Sequence, residues 1–167
     1  MVAPAGPQGR DMMGALIAAF IVFASVAGME LFAWAIHKYV MHGPGWSWHQ
    51  SHHEPTEGLF EKNDLYAVVF AFISAGLFIL GSTLWPPLWW VAVGVTLYGV
   101  LYGFVHDGLV HRRFPVRFKP RGRYLKRLVQ AHRLHHAVHK KEGAVSFGFL
   151  WAEDVRKLKA RLKSRQS

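Results

Sequence analysis

Neutral imidazole is the commonest nitrogen ligand for transition metals, and this chain gathers all eleven of its histidines into two windows, residues 37–53 and 106–139. The first window holds His37 and His42, then His49, His52 and His53. The second holds His106 and His111, then His132, His135 and His136, with His139 left over. Both obey one grammar, H-x4-H followed by H-x2-H-H. On an α-helix residues i, i+3 and i+4 share a face, so each H-x2-H-H is expected to converge three imidazoles on a single point. A lone histidine is more often a satisfied core or surface residue than a ligand, but two matched sets of five suffice for two ions. Cysteine is absent, so neither disulfides nor thiolate ligands are available and any metal must be held by nitrogen and oxygen.

The H-x4-H pairs pose a geometric problem. Five residues along an ideal α-helix leave side chains about 140° apart, so each pair is expected to straddle a helix end or a local bulge, the first histidine on the last turn and the second just beyond it. The runs Gly43-Pro44-Gly45 and Arg112-Arg113-Phe114-Pro115 supply stops at the right places.

The elements that must position these rings are membrane helices. The chain has 167 residues, 51% of them apolar, and the apolar residues sit in long runs with few charges, which implies a bilayer. An all-α integral membrane protein of one domain is expected over residues 1–167: a loose tail at 1–11, membrane helices at 12–36, 65–85 and 88–105, and a basic amphipathic tail at 152–167. A secretory signal peptide is the weaker reading of the first run, since Asp11 cancels Arg10 and no convincing cleavage site follows. Asn63-Asp64 reads as the N-cap of the second span, Trp85, Trp89 and Trp90 as an interfacial aromatic belt, and Gly99-x3-Gly103 as a close helix contact. Glu30, buried in the first span, is expected to support an imidazole or to join two helices.

Three crossings bring His37 and His106 out on the same side, so the ten box histidines can meet there. Of 20 Lys and Arg, only Arg10 lies on the other side. The positive-inside rule therefore puts the histidines and the C-terminus in the cytoplasm and the N-terminus in the periplasm. A basic helix over 121–139 is expected to lie on the membrane surface, carrying Leu125, Leu128, His132, His135, His136 and His139 along one face. The excess of positive charge suits anionic lipid or an acidic electron carrier. Nucleic-acid binding would follow from charge alone and is set aside because of the membrane runs.

The boxes HKYVMH, HQSHH, HDGLVH and HRLHH, in this order with two crossings between the second and third, resemble the membrane-bound fatty acid hydroxylase and desaturase superfamily. Within it, the stretches WSWHQSHHEP, NDLY, YGFVHDGLVHRRFP and AHRLHHAVHKKEG closely resemble the bacterial β-carotene 3-hydroxylase family, and the match covers about residues 30–150. That resemblance implies a fold often drawn with four membrane helices, against the three counted here. It implies two non-haem irons, with His37, His42, His49, His52, His53, His106, His111, His132, His135 and His136 as their ligands. It also implies insertion of one oxygen atom of O2 at carbon 3 of a β-ionone ring, giving β-cryptoxanthin and then zeaxanthin, in the inner membrane, with electrons from an external donor such as ferredoxin. An unactivated ring C–H has no proton that a base can remove, so the step needs an oxidant made at a metal from O2 and two electrons, and carboxylates such as Asp107 and Asp64 are candidates to orient the ligands. The residues alone leave open a lipid desaturase, a fatty acid or sterol hydroxylase, a zinc hydrolase and a non-enzymatic metal-binding or transport protein. A transporter would be expected to place its ligands nearer the bilayer midplane.

Overall fold

The computed structural model describes residues 7–54, 58, 60–113 and 119–166, and every regular element among them is helical. Helix α1 (Pro7–Ala35) continues directly into a π-helical segment, π1 (Ile36–Met41). A short α2 (Trp46–His53) is followed by α3 (Asp64–Thr83), α4 (Pro87–Tyr102), a second π-helical segment, π2 (Gly103–Val110), then α5 (Arg123–His136) and α6 (Val155–Gln166). The loose tail expected at 1–11 is corrected from Pro7 onward, where α1 has already begun; residues 1–6 lie outside the described residues. So do Phe114 and Pro115, half of the stop expected after His111.

Among the described residues three stretches are long and apolar enough to cross a bilayer, Asp11–Met41, Asp64–Thr83 and Pro87–Val110. The first and third run beyond the expected 12–36 and 88–105, because π1 and π2 carry the helices past the first histidine of each pair. At 1.5 Å per residue even the shortest, of 20 residues, reaches about 30 Å, the thickness of the hydrocarbon layer. Their outward faces are apolar: Phe20, Phe23 and Phe72 are all more than 70% exposed, as suits side chains meeting lipid rather than water. Pro87 opens α4 at a position whose N–H needs no helical partner, so the double proline ends one span and starts the next.

Helix α4 packs against both α1 and α3. Gly94 permits the first contact, because a Cβ there would collide with Ser25 and with the carbonyl of Val22. The close packing expected at Gly99-x3-Gly103 is corrected: nothing lies within 4 Å of where either Cβ would be. Gly99 instead borders a groove of about 550 Å³ between α1, α3 and α4, walled by apolar side chains such as Met29, Phe70, Phe78 and Val100.

Helices α5 and α6 close the histidine end over their own core of Val105, Leu128, Ala131, Val145, Ala152, Leu158 and Leu162. Leu158 is fully buried, a contribution of about 2–3 kcal/mol by area alone. The expected helix at 121–139 is shorter at both ends, and its early stop at His136 leaves His139 beyond the helix.

Candidate metal centre

Each H-x4-H pair straddles a helix end as expected, with His42 and His111 just past the last residue of π1 and π2, and the helix type supplies the bulge. In a π-helix the backbone bond runs from i+5 to i, which is the spacing of each pair. The amide of His42 donates to the carbonyl of His37 at 3.0 Å, and the amide of His111 donates to that of His106, also at 3.0 Å. Each pair is thereby stacked on one side of its segment. The chain then turns away at once after His42, where a Cβ on Gly43 would strike the carbonyl of Tyr39.

The H-x2-H-H boxes behave otherwise than expected, and neither converges on a single point. One cluster joins His37, His42, His49, His53 and His135; a second joins His52, His106, His111 and His132. His136 stands at the margin of the second, its Nε2 3.0 Å from that of His132. The middle histidine of each box has therefore crossed over: His52 leaves its neighbours for the second cluster and His135 leaves its own for the first. Helix periodicity explains the exchange, since i and i+4 lie about 40° apart whereas i+3 and i+4 lie about 100° apart. The outer pair of each box stays on one side and the middle ring faces the other.

Within the first cluster Nε2 of His37 lies 3.1 Å from that of His49, His49 3.2 Å from His53, His53 3.1 Å from His135, and His42 3.2 Å from His135. In the second, His52 lies 2.9 Å from His106 and His111 3.2 Å from His132. Apart from the His111–His132 pair, these contacts are not hydrogen bonds. Seven of the rings have Nδ1 against an acceptor: the carbonyls of Phe147, Lys141, Val138 and Val145 for His37, His42, His53 and His135, and the side chains of Asn63, Glu61 and Asp107 for His49, His52 and His106. Carbonyls and carboxylates only accept, so Nδ1 carries the proton and Nε2 is a bare lone pair. Lone pairs aimed at one another across about 3 Å repel unless a cation stands between them. Two nitrogens bound at right angles to one ion, at about 2.1 Å each, would be about 3 Å apart. The donor set therefore fits, and both clusters can hold a metal ion. Burial keeps the rings in the ligand form: it holds His49 down to about 3, His53 and His111 to about 4, and His136 to about 2.

Several supporting residues differ from expectation. Asn63 occupies the N-cap position of α3 but makes no side-chain cap bond; its Oδ1 accepts from His49 Nδ1 at 2.8 Å. Asp107 does orient a ligand, accepting from His106 at 2.8 Å, whereas Asp64 does not. Asp64 instead makes a two-pronged pair with Arg113 at 2.7 Å per contact, and Glu61 is the carboxylate that holds His52. Arg113 also lies 3.4 Å from Glu61 and 3.6 Å from Asp107, so one guanidinium ties together the acids behind the second cluster. Burial pushes Glu61 up to about 7, with Arg113 opposing it. The roles of Glu61 and Arg113 went unread in the sequence; the available signal was the excess of acids between the second box and α3.

Glu30 takes the second of its two expected roles and joins two helices, while His139 ties two segments together from outside the clusters. Glu30 does not reach an imidazole. Its carboxylate accepts from the amides of Phe149, Leu150 and Trp151 at 2.9–3.0 Å and from Tyr98 Oη at 2.8 Å, so it pins the 149–151 loop onto α1 and α4. His139 Nδ1 donates to the carbonyl of His53 at 2.9 Å, which ties the turn after α5 to the end of α2.

Residues 22–154 match the fatty acid hydroxylase family. The chain is 61% identical to a β-carotene hydroxylase of Pantoea ananas over 88% of its length and 84% of the relative's. It is 56% identical to one of Paracoccus sp. (strain PC1) over 86% and 89%. A chloroplastic β-carotene 3-hydroxylase of Arabidopsis thaliana is 43% identical over 67% of this chain and 38% of its own. No solved structure matches the chain. With most of its length covered by these alignments, and with nine of its histidines drawn into two clusters that could each hold a metal ion, the chain belongs to the fatty acid hydroxylase family, alongside the β-carotene hydroxylases.

Proposed function

We propose that this protein is a membrane di-iron monooxygenase that hydroxylates carbon 3 of the β-ionone rings of β-carotene, giving β-cryptoxanthin and then zeaxanthin. The observation that carries the reading is the pair of interleaved clusters, whose Nε2 lone pairs converge while Nδ1 is locked outward. The names of relatives up to 61% identical support the substrate.

His37, His42, His49, His53 and His135 would hold one iron, and His52, His106, His111, His132 and His136 the other. When bound, the irons would supply activation of O2 with two electrons from an external donor. The chain's own residues prepare the place for that chemistry. Asn63, Glu61 and Asp107 fix ring orientation, which typically matters 10–100-fold for affinity or activity. Tyr102 stacks on His106 with ring centres 4.5 Å apart, and Phe149 on His37 at 5.1 Å, so aromatic faces exclude water behind the ligands. The apolar groove ends against Asn63, Tyr102, Asp107 and Phe149. An apolar carotenoid would enter it from the bilayer and be steered towards the clusters.

An acidic electron carrier such as ferredoxin would dock on the exposed Arg123, Lys126, Arg127 and Arg133 of α5. That helix carries three ligands on its other side, within one helix diameter of about 10–12 Å. The charge asymmetry of 19 Lys and Arg against Arg10 supports an inner-membrane protein with its clusters in the cytoplasm. A reporter fused after Ser167 should then read cytoplasmic and one at the N-terminus periplasmic; the reverse would overturn the orientation.

Expression in a bacterial host that makes β-carotene, followed by pigment chromatography, tests the function. Zeaxanthin and its mono-hydroxylated precursor are expected, and His52→Ala or His135→Ala should abolish both together with bound iron. Unchanged β-carotene, or a product with an added double bond, would overturn the proposal.

A further inference from the structure

A second cavity, of about 160 Å³, shares no lining residue with the apolar groove. It is walled by Trp34, Lys38, Ser146, Trp151, Arg161 and Arg165, with Glu153 beside them. Three cations face one carboxylate, so the cavity carries two positive charges in excess. Glu153 accepts from both guanidinium nitrogens of Arg161, at 3.0 and 2.8 Å. Arg165 donates to the carbonyls of Gly143 and Ala144 at 3.2 and 2.8 Å. Lys38 has no carboxylate partner among the described residues; its Nζ rests 4.9 Å above the Trp34 ring and 5.0 Å above that of Tyr39. Ser146 is held at φ 61°, a left-handed conformation that a serine adopts only under constraint, and its hydroxyl makes no hydrogen bond among the described residues.

The level of the cavity in the membrane identifies the kind of anion. Lys38 lies in the last turn of the first span, which ends at Met41, and Trp34 and the exposed Trp151 flank it. Tryptophan paired with a basic residue at a span end marks the headgroup layer, where lipid phosphates lie. We propose that this cavity binds the phosphate of an anionic phospholipid headgroup, with Lys38 and Arg165, the two cations that no carboxylate neutralises among the described residues, as its charge partners and Ser146 as a neutral donor. The site is coupled to the first cluster through the loop that forms its wall, because the carbonyls of Val145 and Phe147 accept from Nδ1 of His135 and His37 at 3.1 and 2.9 Å. A bound headgroup would fix that loop and slow the escape of metal from the first cluster.

The test uses the full-length, metal-loaded protein in bilayer discs of phosphatidylcholine with a minor share of phosphatidylglycerol. Lipid retained by the released protein is read by native mass spectrometry, and metal loss by the rate of transfer to a chelator. Phosphatidylglycerol should be retained about tenfold over its share, and Lys38→Gln/Arg165→Gln should remove most of that preference. Ser146→Gly, which relieves the backbone while deleting the hydroxyl, should weaken retention without loss of fold. Chelation should be several-fold slower in the mixed discs than in pure phosphatidylcholine. Equal retention of the two lipids by the wild type, or wild-type preference in both variants, would overturn the site. Displacement of the lipid by millimolar inorganic phosphate would overturn the lipid as ligand in favour of a free anion. Unchanged chelation rates with the lipid bound would overturn the coupling.

Discussion

An imidazole becomes a good ligand when something else decides which of its nitrogens is bare, and here backbone carbonyls, one amide and two carboxylates make that decision. Asn63 offers the clearest test, because its position and its contact argue for different roles. A helix cap would tolerate Asn63→Ser, since serine caps as well as asparagine. An acceptor that must reach His49 Nδ1 would not, as the hydroxyl is too short. Asn63→Ser is expected to lower metal affinity of the first cluster about 10–100-fold, and Asn63→Asp to preserve it; metal analysis after dialysis reads the difference, and equal retention in both would restore the capping role. That these histidines gather was legible in the sequence, because the boxes repeat and chemistry is written in residue type. Their partition was not, because assigning His52 and His135 across the clusters requires knowing how α2 and α5 face one another. The partner of His49 was hidden for a similar reason, since an asparagine before a helix looks the same whether it caps or reaches elsewhere.

Among the elements, the π-helical segments were visible only as a contradiction. The H-x4-H spacing was incompatible with an α-helix, and a helix end or bulge was the expected remedy; π1 and π2 resolve it with the backbone bond that matches the spacing. The three spans were legible from their apolar runs, whereas the small residues were misread. Gly94 makes the helix contact, and Gly99 leaves room. That difference gives a prediction for the groove. Gly99→Leu should fill its mouth without touching a ligand, so the variant is expected to keep its metal while carotenoid turnover falls at least tenfold, a loss of about 1.4 kcal/mol in transition-state stabilisation. Pigment analysis and metal content measured on the same preparation check it; full turnover would remove the groove from the substrate's path.

For the molecule as a whole, burying so many histidines in neutral form sets an acid limit. In the unfolded chain each titrates near 6.5, whereas burial holds His49 near 3 and His53 and His111 near 4. Between these values the unfolded state binds protons that the folded state refuses, so stability falls as pH drops, by about 1.4 kcal/mol per pH unit for each such histidine. The stabilisation is complete above about pH 6.5 and is lost progressively towards pH 4. Thermal unfolding and metal release followed over that range should move together. A protein that keeps its metal and its melting temperature at pH 4.5 would contradict the neutral-ligand arrangement.

The exchange of His52 and His135 also bears on how the protein is made. The chain separation from His53 to His135 is 82 residues, and completing either ligand set requires α5, the last third of the sequence. A ribosome that has not yet released His132 therefore presents no finished cluster, and insertion of any metal ions would follow translation. The first ion to arrive must close that long loop and dock α5 against α2, an entropic cost that grows with loop length. The same docking assembles the other cluster, so the second ion meets a prebuilt set of donors. Loading of the metal-free protein should accordingly be cooperative, with the singly occupied form scarce at half saturation in native mass spectra. A dominant one-ion species would mean that the two halves of the chain are already docked before any metal binds.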